Sequence, residues 1–232
     1  MKRLFTLLEM LIVVAIIAIL LSILMPNVYK TRQKAKQALC MSNTRQLAAA
    51  GSRYVINNNS RYWTWITTSG FRPYWQAGKK GAWGPHPENR PLNAYLDIDN
   101  QTKESPVTQC PSDEYLRPGF NKSAYDYFGT SYCDGTGGNS LSKRGGNALK
   151  TLGGSNNIPG IPASYVVDNS RMIMIMEWNV ISNGYRPNEN FDGWHGYKTT
   201  TASFCDGSAG YVQILIRQIH GEDFTLEYDH TY

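Results

Sequence analysis

Residues Phe5 to Met25 read FTLLEMLIVVAIIAILLSILM, and this stretch decides the fold. Its one charged residue is Glu9, and beyond Glu9 its one polar residue is Ser22. A helix rises about 1.5 Å per residue, so a helix of this length is about 30 Å long and matches the hydrocarbon core of a bilayer. A cleaved secretory signal is disfavoured because the apolar run is long and no small-x-small cleavage site follows it. The stretch predicts a single transmembrane helix over residues 5–25.

On the C-terminal side, residues 26–57 contain few helix breakers and predict a continuation of the helix. Pro26 lacks a backbone donor and is expected to kink the helix there. Cys40, Leu47 and Tyr54 recur every seven residues on an otherwise polar segment. This spacing indicates one apolar stripe, which should pack on a globular domain and place Cys40 on the buried side.

The remaining residues, 58–232, predict a small antiparallel sheet with long loops, and therefore an α+β protein. Residues 66–160 are rich in Gly, Pro and Asn and read as a loop-rich insertion. Asp206-Gly207 is a tight hairpin signal, because glycine tolerates a positive φ. Three or four strands are expected to lie on the long helix, and the candidate segments are 61–65, 171–176 (ending at Glu177), 198–205, 210–216 and 224–228.

Composition limits the function classes. The formal net charge is +5, with a basic cluster between Lys30 and Lys36. This charge is too small and too scattered to indicate nucleic-acid binding, so we predict no nucleic-acid partner. A length of 232 residues allows one anchor and one domain with its own core.

The chain contains four cysteines, and none of them forms a CxxC pair or has zinc-ligand spacing to a histidine. An even number in an exported domain permits two disulfides with about three connectivities, but free, buried thiols fit equally well. Because the helical stripe buries Cys40, we hypothesise that it bonds Cys110 in the following loop. The disulfide candidates are Cys40, Cys110, Cys133 and Cys205.

No motif for catalysis is found: there is no phosphate-binding loop, GxSxG elbow or HExxH sequence. We predict neither an enzyme nor a resident cofactor. Of the four histidines, His195 alone has acidic residues that could converge with it in a hairpin, namely Asp192, Asp206 and Glu177. A metal site formed by Asp192, His195 and Asp206 is one interpretation. In the other, Asp206 forms the turn and His195 packs in the hairpin.

Four tryptophans lie close together in the sequence, at positions 63, 65, 75 and 83. Tryptophan faces can stack on sugar rings, so a membrane-tethered extracytoplasmic carbohydrate-binding module that does not polymerise is an alternative function. The other interpretation is that these side chains fill the core of a domain with few large aliphatic residues in this region.

The segment Leu4-Phe5-Thr6-Leu7-Leu8-Glu9 resembles the prepilin peptidase site of type IV prepilins and type II secretion pseudopilins. The resemblance implies a leader of residues 1–4, cleavage between Leu4 and Phe5, and N-methylation of Phe5. Leu4 stands where the family usually has Gly. The resemblance also implies that Glu9 pairs with the amino group of Phe5 on a neighbouring subunit, and Pro26 falls where such helices carry a proline.

The resemblance implies a pilin-like fold and a structural role in a type IV pilus-like or type II secretion-like filament. The implied partners are other pilin or pseudopilin subunits, prepilin peptidase and an inner-membrane assembly platform. The implied location is the bacterial inner membrane, with a cytoplasmic N-terminus and a domain that is periplasmic or on an extracellular filament. A bare count of basic residues, with Lys2 and Arg3 before the span and four more from Lys30 to Lys36, gives the opposite orientation.

A second resemblance lies near the C-terminus. A subgroup of prepilin-like proteins carries a His, nine residues and then Asp-Gly in a hairpin. Here His195 is followed by ten residues before Asp206-Gly207, and a one-residue bulge would absorb the difference. Pseudopilins that this chain resembles can bind calcium through loop oxygens, so calcium would be the ion at Asp192, His195 and Asp206.

Overall fold

The computed structural model describes residues 6–63, 76–82, 86–98, 104–114, 121–134, 160–179, 194–196 and 199–214. The chain forms two compact units, Met1–Lys36 and Gln37–Tyr232. The boundary of the larger unit therefore lies within the amphipathic part of the helix, about twenty residues before the boundary at residue 58 that the sequence suggested.

The first element is helix α1, Leu7–Asn57, which is 51 residues long and continues through Pro26. Large apolar side chains from Leu7 to Tyr29 are exposed on every side of the helix, and Leu7 itself is 84% exposed. In the described part of the chain, α1 is the one helix that is long and apolar enough to cross a membrane. This agrees with the predicted span.

The second layer is an antiparallel sheet of four strands in the order β1-β2-β3-β4. The α+β class is thereby confirmed. The interpretation of residues 66–160 as a loop-rich insertion did not include the short strand β1. Of the other predicted strands, residue 61 forms an isolated bridge to Pro162, and residues 224–228 lie outside the described residues. The strands are β1 Tyr132–Asp134, β2 Ile173–Glu177, β3 Thr199–Phe204 and β4 Ala209–Gln213.

The β3–β4 hairpin turns at Asp206-Gly207, where the sequence predicted it. Gly207 has a φ of 87°, in the left-handed region that glycine tolerates. Oδ1 of Asp206 accepts hydrogen bonds from the backbone N and the Oγ of Ser208, at 2.8 and 2.7 Å. Asp206 is therefore a turn-forming residue.

The expected bulge between His195 and Asp206 is not found in the described residues of that segment. The β3–β4 register is regular from Thr199 to Ser203. The register shift lies instead in the β2–β3 pair, between Ile173 and Ile175 of β2. The two residues before β3, 197 and 198, lie outside the described part.

The core of the larger unit lies between the sheet and residues 37–57 of α1. Cys40 and Leu47 of the predicted stripe are buried there, and Tyr54 is partly buried. The stripe also includes Thr44, whose Oγ1 lies 3.1 Å from Oγ1 of Thr201 on β3. Gly51 is buried as well. All five residues of β2 are buried, including Glu177 at its end.

Candidate functional site: the helix start and a buried Cys-His-Glu cluster

The start of α1 is a capping box. The backbone N and Oγ1 of Thr6 both donate to Oε2 of Glu9, at 2.9 and 2.8 Å. In return, Oγ1 of Thr6 accepts from the backbone N of Glu9 at 3.2 Å. Such reciprocal bonds satisfy donors that an isolated helix end leaves unpaired. Glu9 therefore has a role within its own chain, which the sequence interpretation did not foresee. Leu4 and Phe5 lie outside the described residues.

Cys40 of α1 and Cys110 are joined in a disulfide, with their Cα atoms 5.2 Å apart. This is the pairing that we hypothesised. Both residues are buried. Cys133 and Cys205 are free thiols, and burial raises the pKa of Cys205 to about 12 and the pKa of Cys133 far above its ordinary value. Neither free thiol is suited to act as a nucleophile at neutral pH, because the thiolate is the reactive form.

His195 lies beside a buried carboxylate. Its Nε2 is 2.7 Å from Oε1 of Glu177, and the two side chains are 1% and 0% exposed. Glu177 is the last residue of β2. Its second oxygen, Oε2, accepts from the backbone N of Thr201 at 3.0 Å and from Oγ1 of Thr200 at 3.1 Å. Strand β3 therefore holds Oε2 and leaves Oε1 facing the imidazole.

The imidazole also contacts the disulfide. Nε2 of His195 lies 3.5 Å from Sγ of Cys110. The backbone of His195 is held by α1, because Nε2 of Gln37 donates to its carbonyl oxygen at 3.2 Å. Four residues thus bring potential metal-ligand atoms together, and these atoms all lie within 4.8 Å of one another. The residues are Cys40, Cys110, Glu177 and His195.

The backbone around Cys110 is anchored on two sides. Its own N–H donates to Oγ of Ser131 at 3.0 Å, and the N–H of Ser112 points at its Sγ from 3.4 Å. Asp113 accepts from the backbone N of Ala124 and Tyr125, at 2.9 and 2.8 Å. It also accepts from Oγ of Ser131 at 2.7 Å. Burial is the largest influence on Asp113 and raises its pKa to about 6 against these hydrogen bonds.

Of the predicted metal set, His195 and Asp206 lie in the described part of the chain. Asp206 is exposed in the hairpin turn, and Asp192 lies outside the described part of the chain. The acid that reaches His195 is Glu177, which the sequence had placed only among its acidic neighbours. The calcium site at Asp192, His195 and Asp206 therefore stays a prediction. Histidine beside cysteine is also a poor donor set for calcium, which prefers oxygen ligands.

One of the four tryptophans considered for sugar binding lies in the core. Trp63 is fully buried, and its Nε1 donates to Oδ2 of Asp134 at 3.0 Å. The other three lie outside the described residues. A groove of about 950 Å³ runs along α1, and its described lining contains polar residues such as Arg53, Tyr95 and Glu104 but no tryptophan.

Comparison with known proteins gives no assignment. No protein-family model, curated protein or solved structure matches this chain.

Proposed function

We propose that this chain is a structural subunit, a pilin or pseudopilin, of a filament of the type IV pilus or type II secretion kind. The observation that carries the proposal is the N-terminal part of α1, whose apolar side chains are exposed on all sides. A helix that is apolar all round is stable only where other apolar groups cover it, in a bilayer or among other helices. A filament subunit needs both environments in succession.

Glu9 supports the filament over a plain membrane anchor. A carboxylate near the hydrocarbon costs about 2.5–3.5 kcal/mol on insertion scales unless it reaches water or a partner. Capping the helix does not require this charge, because glutamine completes a capping box as well as glutamate does. In the proposal, Glu9 neutralises the amino group of Phe5 on a neighbouring subunit after cleavage behind Leu4. The capping box fixes the carboxylate at the start of the helix, where that partner would arrive.

The proposal includes the location and the partners. The chain would be held in the inner membrane by residues 5–25, with its larger unit outside the cytoplasm, until prepilin peptidase and the assembly platform act on it. It would have no catalytic activity of its own. The tethered carbohydrate-binding alternative is not favoured by any contact among the described residues, because Trp63 is buried.

The assembly test compares Glu9→Ala with a matched control, Thr6→Val. Both variants break the capping box and should weaken the helix start by about 1 kcal/mol, but Thr6→Val keeps the carboxylate. We expect both chains to insert into the membrane, and only Thr6→Val to yield filaments, as judged by electron microscopy of sheared surface fractions. Normal filaments from Glu9→Ala would refute the pairing. Failure of both variants would mean that the carboxylate matters for capping and not for a neighbouring subunit.

Processing is tested by the intact mass of the chain purified from its native membrane. The proposal requires the loss of residues 1–4 and the gain of one methyl group on Phe5. A full-length, unmodified chain would show that the helix is a permanent anchor, and the tethered module would then replace the filament subunit.

A further inference from the structure

We propose that Cys40, Cys110, Glu177 and His195 form a zinc site when the two cysteines are thiols, so that zinc binding and the Cys40–Cys110 disulfide are mutually exclusive states of one cluster. The proposal concerns the larger unit and does not depend on filament assembly.

The distances suit zinc. Tetrahedral zinc binds sulfur at about 2.3 Å and imidazole nitrogen or carboxylate oxygen at about 2.0–2.2 Å, which separates neighbouring ligand atoms by roughly 3.3–3.8 Å. Sγ of Cys110 and Nε2 of His195 are already 3.5 Å apart, and all four ligand atoms lie within 4.8 Å of one another. Three adjustments give the required spacing: the disulfide opens, Oε1 of Glu177 and Nε2 of His195 separate by less than an ångström, and the widest pair of ligand atoms closes by about an ångström.

The ligand types select the ion. Two thiolates favour zinc over calcium or magnesium, which prefer oxygen ligands, and imidazole and carboxylate complete sets that zinc accepts. All four residues are buried, so a zinc ion here would have no open position for water. A closed four-ligand site is structural in kind, whereas a catalytic site keeps one position open.

The surroundings orient the ligands. Thr201 and Thr200 hold Oε2 of Glu177, so Oε1 is the oxygen presented to the ion. The N–H of Ser112 points at Sγ of Cys110, where it would stabilise a thiolate. Outer hydrogen bonds of this kind fix ligand geometry, and their loss typically costs about 10–100-fold in metal affinity.

The two states interconvert with balanced chemistry. The newly made chain carries Cys40 and Cys110 as thiols. Zinc binding forms two zinc–sulfur bonds and releases both thiol protons to the solvent. A disulfide donor reverses this by exchange: the two sulfurs of the chain lose two electrons and join, the donor takes up those electrons and two protons from the solvent to become two thiols, and zinc leaves.

The test uses the full-length chain in detergent micelles, kept from cell lysis onward in a phosphine reductant that preserves the thiols. After incubation with zinc chloride and dialysis, we expect one zinc per chain. Treatment with glutathione disulfide should release it and yield the Cys40–Cys110 bond by peptide mapping. Cobalt in place of zinc should give a thiolate-to-cobalt charge-transfer band in the reduced chain and none in the oxidised chain.

Two controls separate this cluster from the other thiols. C40S/C110S should bind no zinc, whereas C133S/C205S, which removes the same number of cysteines, should still bind one. Should the variants fold poorly, alkylation of the wild-type chain gives the same answer: zinc should slow modification of Cys40 and Cys110 and leave that of Cys205 unchanged. The proposal is overturned if the reduced chain takes up less than half an equivalent of zinc, or if zinc protects other cysteines.

Discussion

Removal of the Cys40–Cys110 bond should lower the free energy of unfolding by about 4 kcal/mol. The bond joins residues separated by 70 positions. In the chain-entropy model, a cross-link over a loop of that length restricts the unfolded ensemble by an amount worth roughly 4 kcal/mol at 25 °C. A typical domain is stable by only about 5–15 kcal/mol, so the bond would supply a large share of the total. The variant is C40A/C110A in the full-length chain.

The assay is guanidinium unfolding in detergent micelles, followed by the fluorescence of the six tryptophans. A metal chelator is present, so that zinc bound at the remaining cluster residues does not contribute to stability. The matched control is Cys205→Ala, which removes a largely buried sulfur outside the bond and should cost no more than about 1–2 kcal/mol. A loss below about 1 kcal/mol in C40A/C110A would contradict the stabilisation calculated from loop length. It would mean that the unfolded chain is already restricted by residual structure.

Three further changes test the packing and the site. Gly51→Leu should destabilise the chain by about 1–3 kcal/mol, because a Cβ there would lie 2.6 Å from Sδ of Met174. The control Ala49→Leu, on the exposed face of α1, should be near neutral. Equal unfolding midpoints for the two variants would contradict the predicted clash. Burial raises the pKa of Asp113 to about 6, so its folded form holds a proton more tightly than its unfolded form, and its contribution to stability is full below about pH 4 and lost as the pH rises through 6. The free energy of unfolding of the wild type, minus that of Asp113→Asn, should therefore fall by up to about 3 kcal/mol between those pH values. A difference that does not change with pH would show that the hydrogen bonds to Asp113 outweigh the effect of burial. Thr200→Val should weaken zinc binding to the reduced chain about 10–100-fold in a competition titration, with little change in the oxidised chain's far-ultraviolet circular dichroism.

The elements that could be predicted from the sequence are those with a local cause. The span needs only a long apolar run, and the hairpin needs only a glycine at the position of positive φ, which Gly207 supplies. Strand β2 was recognisable from its apolar run. The helix passes through Pro26 without ending, and the kink expected there stays a prediction.

Strand β1 could not be predicted from its own residues. It is three residues long, and its pattern, Tyr-Cys-Asp, has no period that separates it from a loop. It exists because it pairs with β2, with Tyr132 opposite Glu177 and Cys133 opposite Met176. Its pairing partners are more than forty residues away, so a pattern read over a few neighbouring residues cannot show them.

The cluster shows the same limit for the site. Zinc-ligand spacing rules look for ligands a few residues apart, whereas Cys40 and Cys110 are 70 residues apart and Glu177 and His195 are 18 apart. Proximity in the hairpin favoured Asp206 as the partner of His195, but a turn places Asp206 in solvent. The signal that could have identified Glu177 is its position as a charged residue at the end of an otherwise apolar strand.

A buried carboxylate is costly unless it is bonded on all sides, so Glu177 requires the neighbours that surround it. Its bonds to Thr201 and His195 join β2, β3 and the segment before β3, while the disulfide joins α1 to the Cys110 loop. Cys40 is the first buried residue of α1 from its N-terminus, so this tie lies where the helix first enters the core. In a filament held together by residues 7–25, any pull on the larger unit would pass along α1 through this point. In the proposed filament, a covalent or zinc-bound cross-link at Cys40 would resist that pull better than apolar contacts alone.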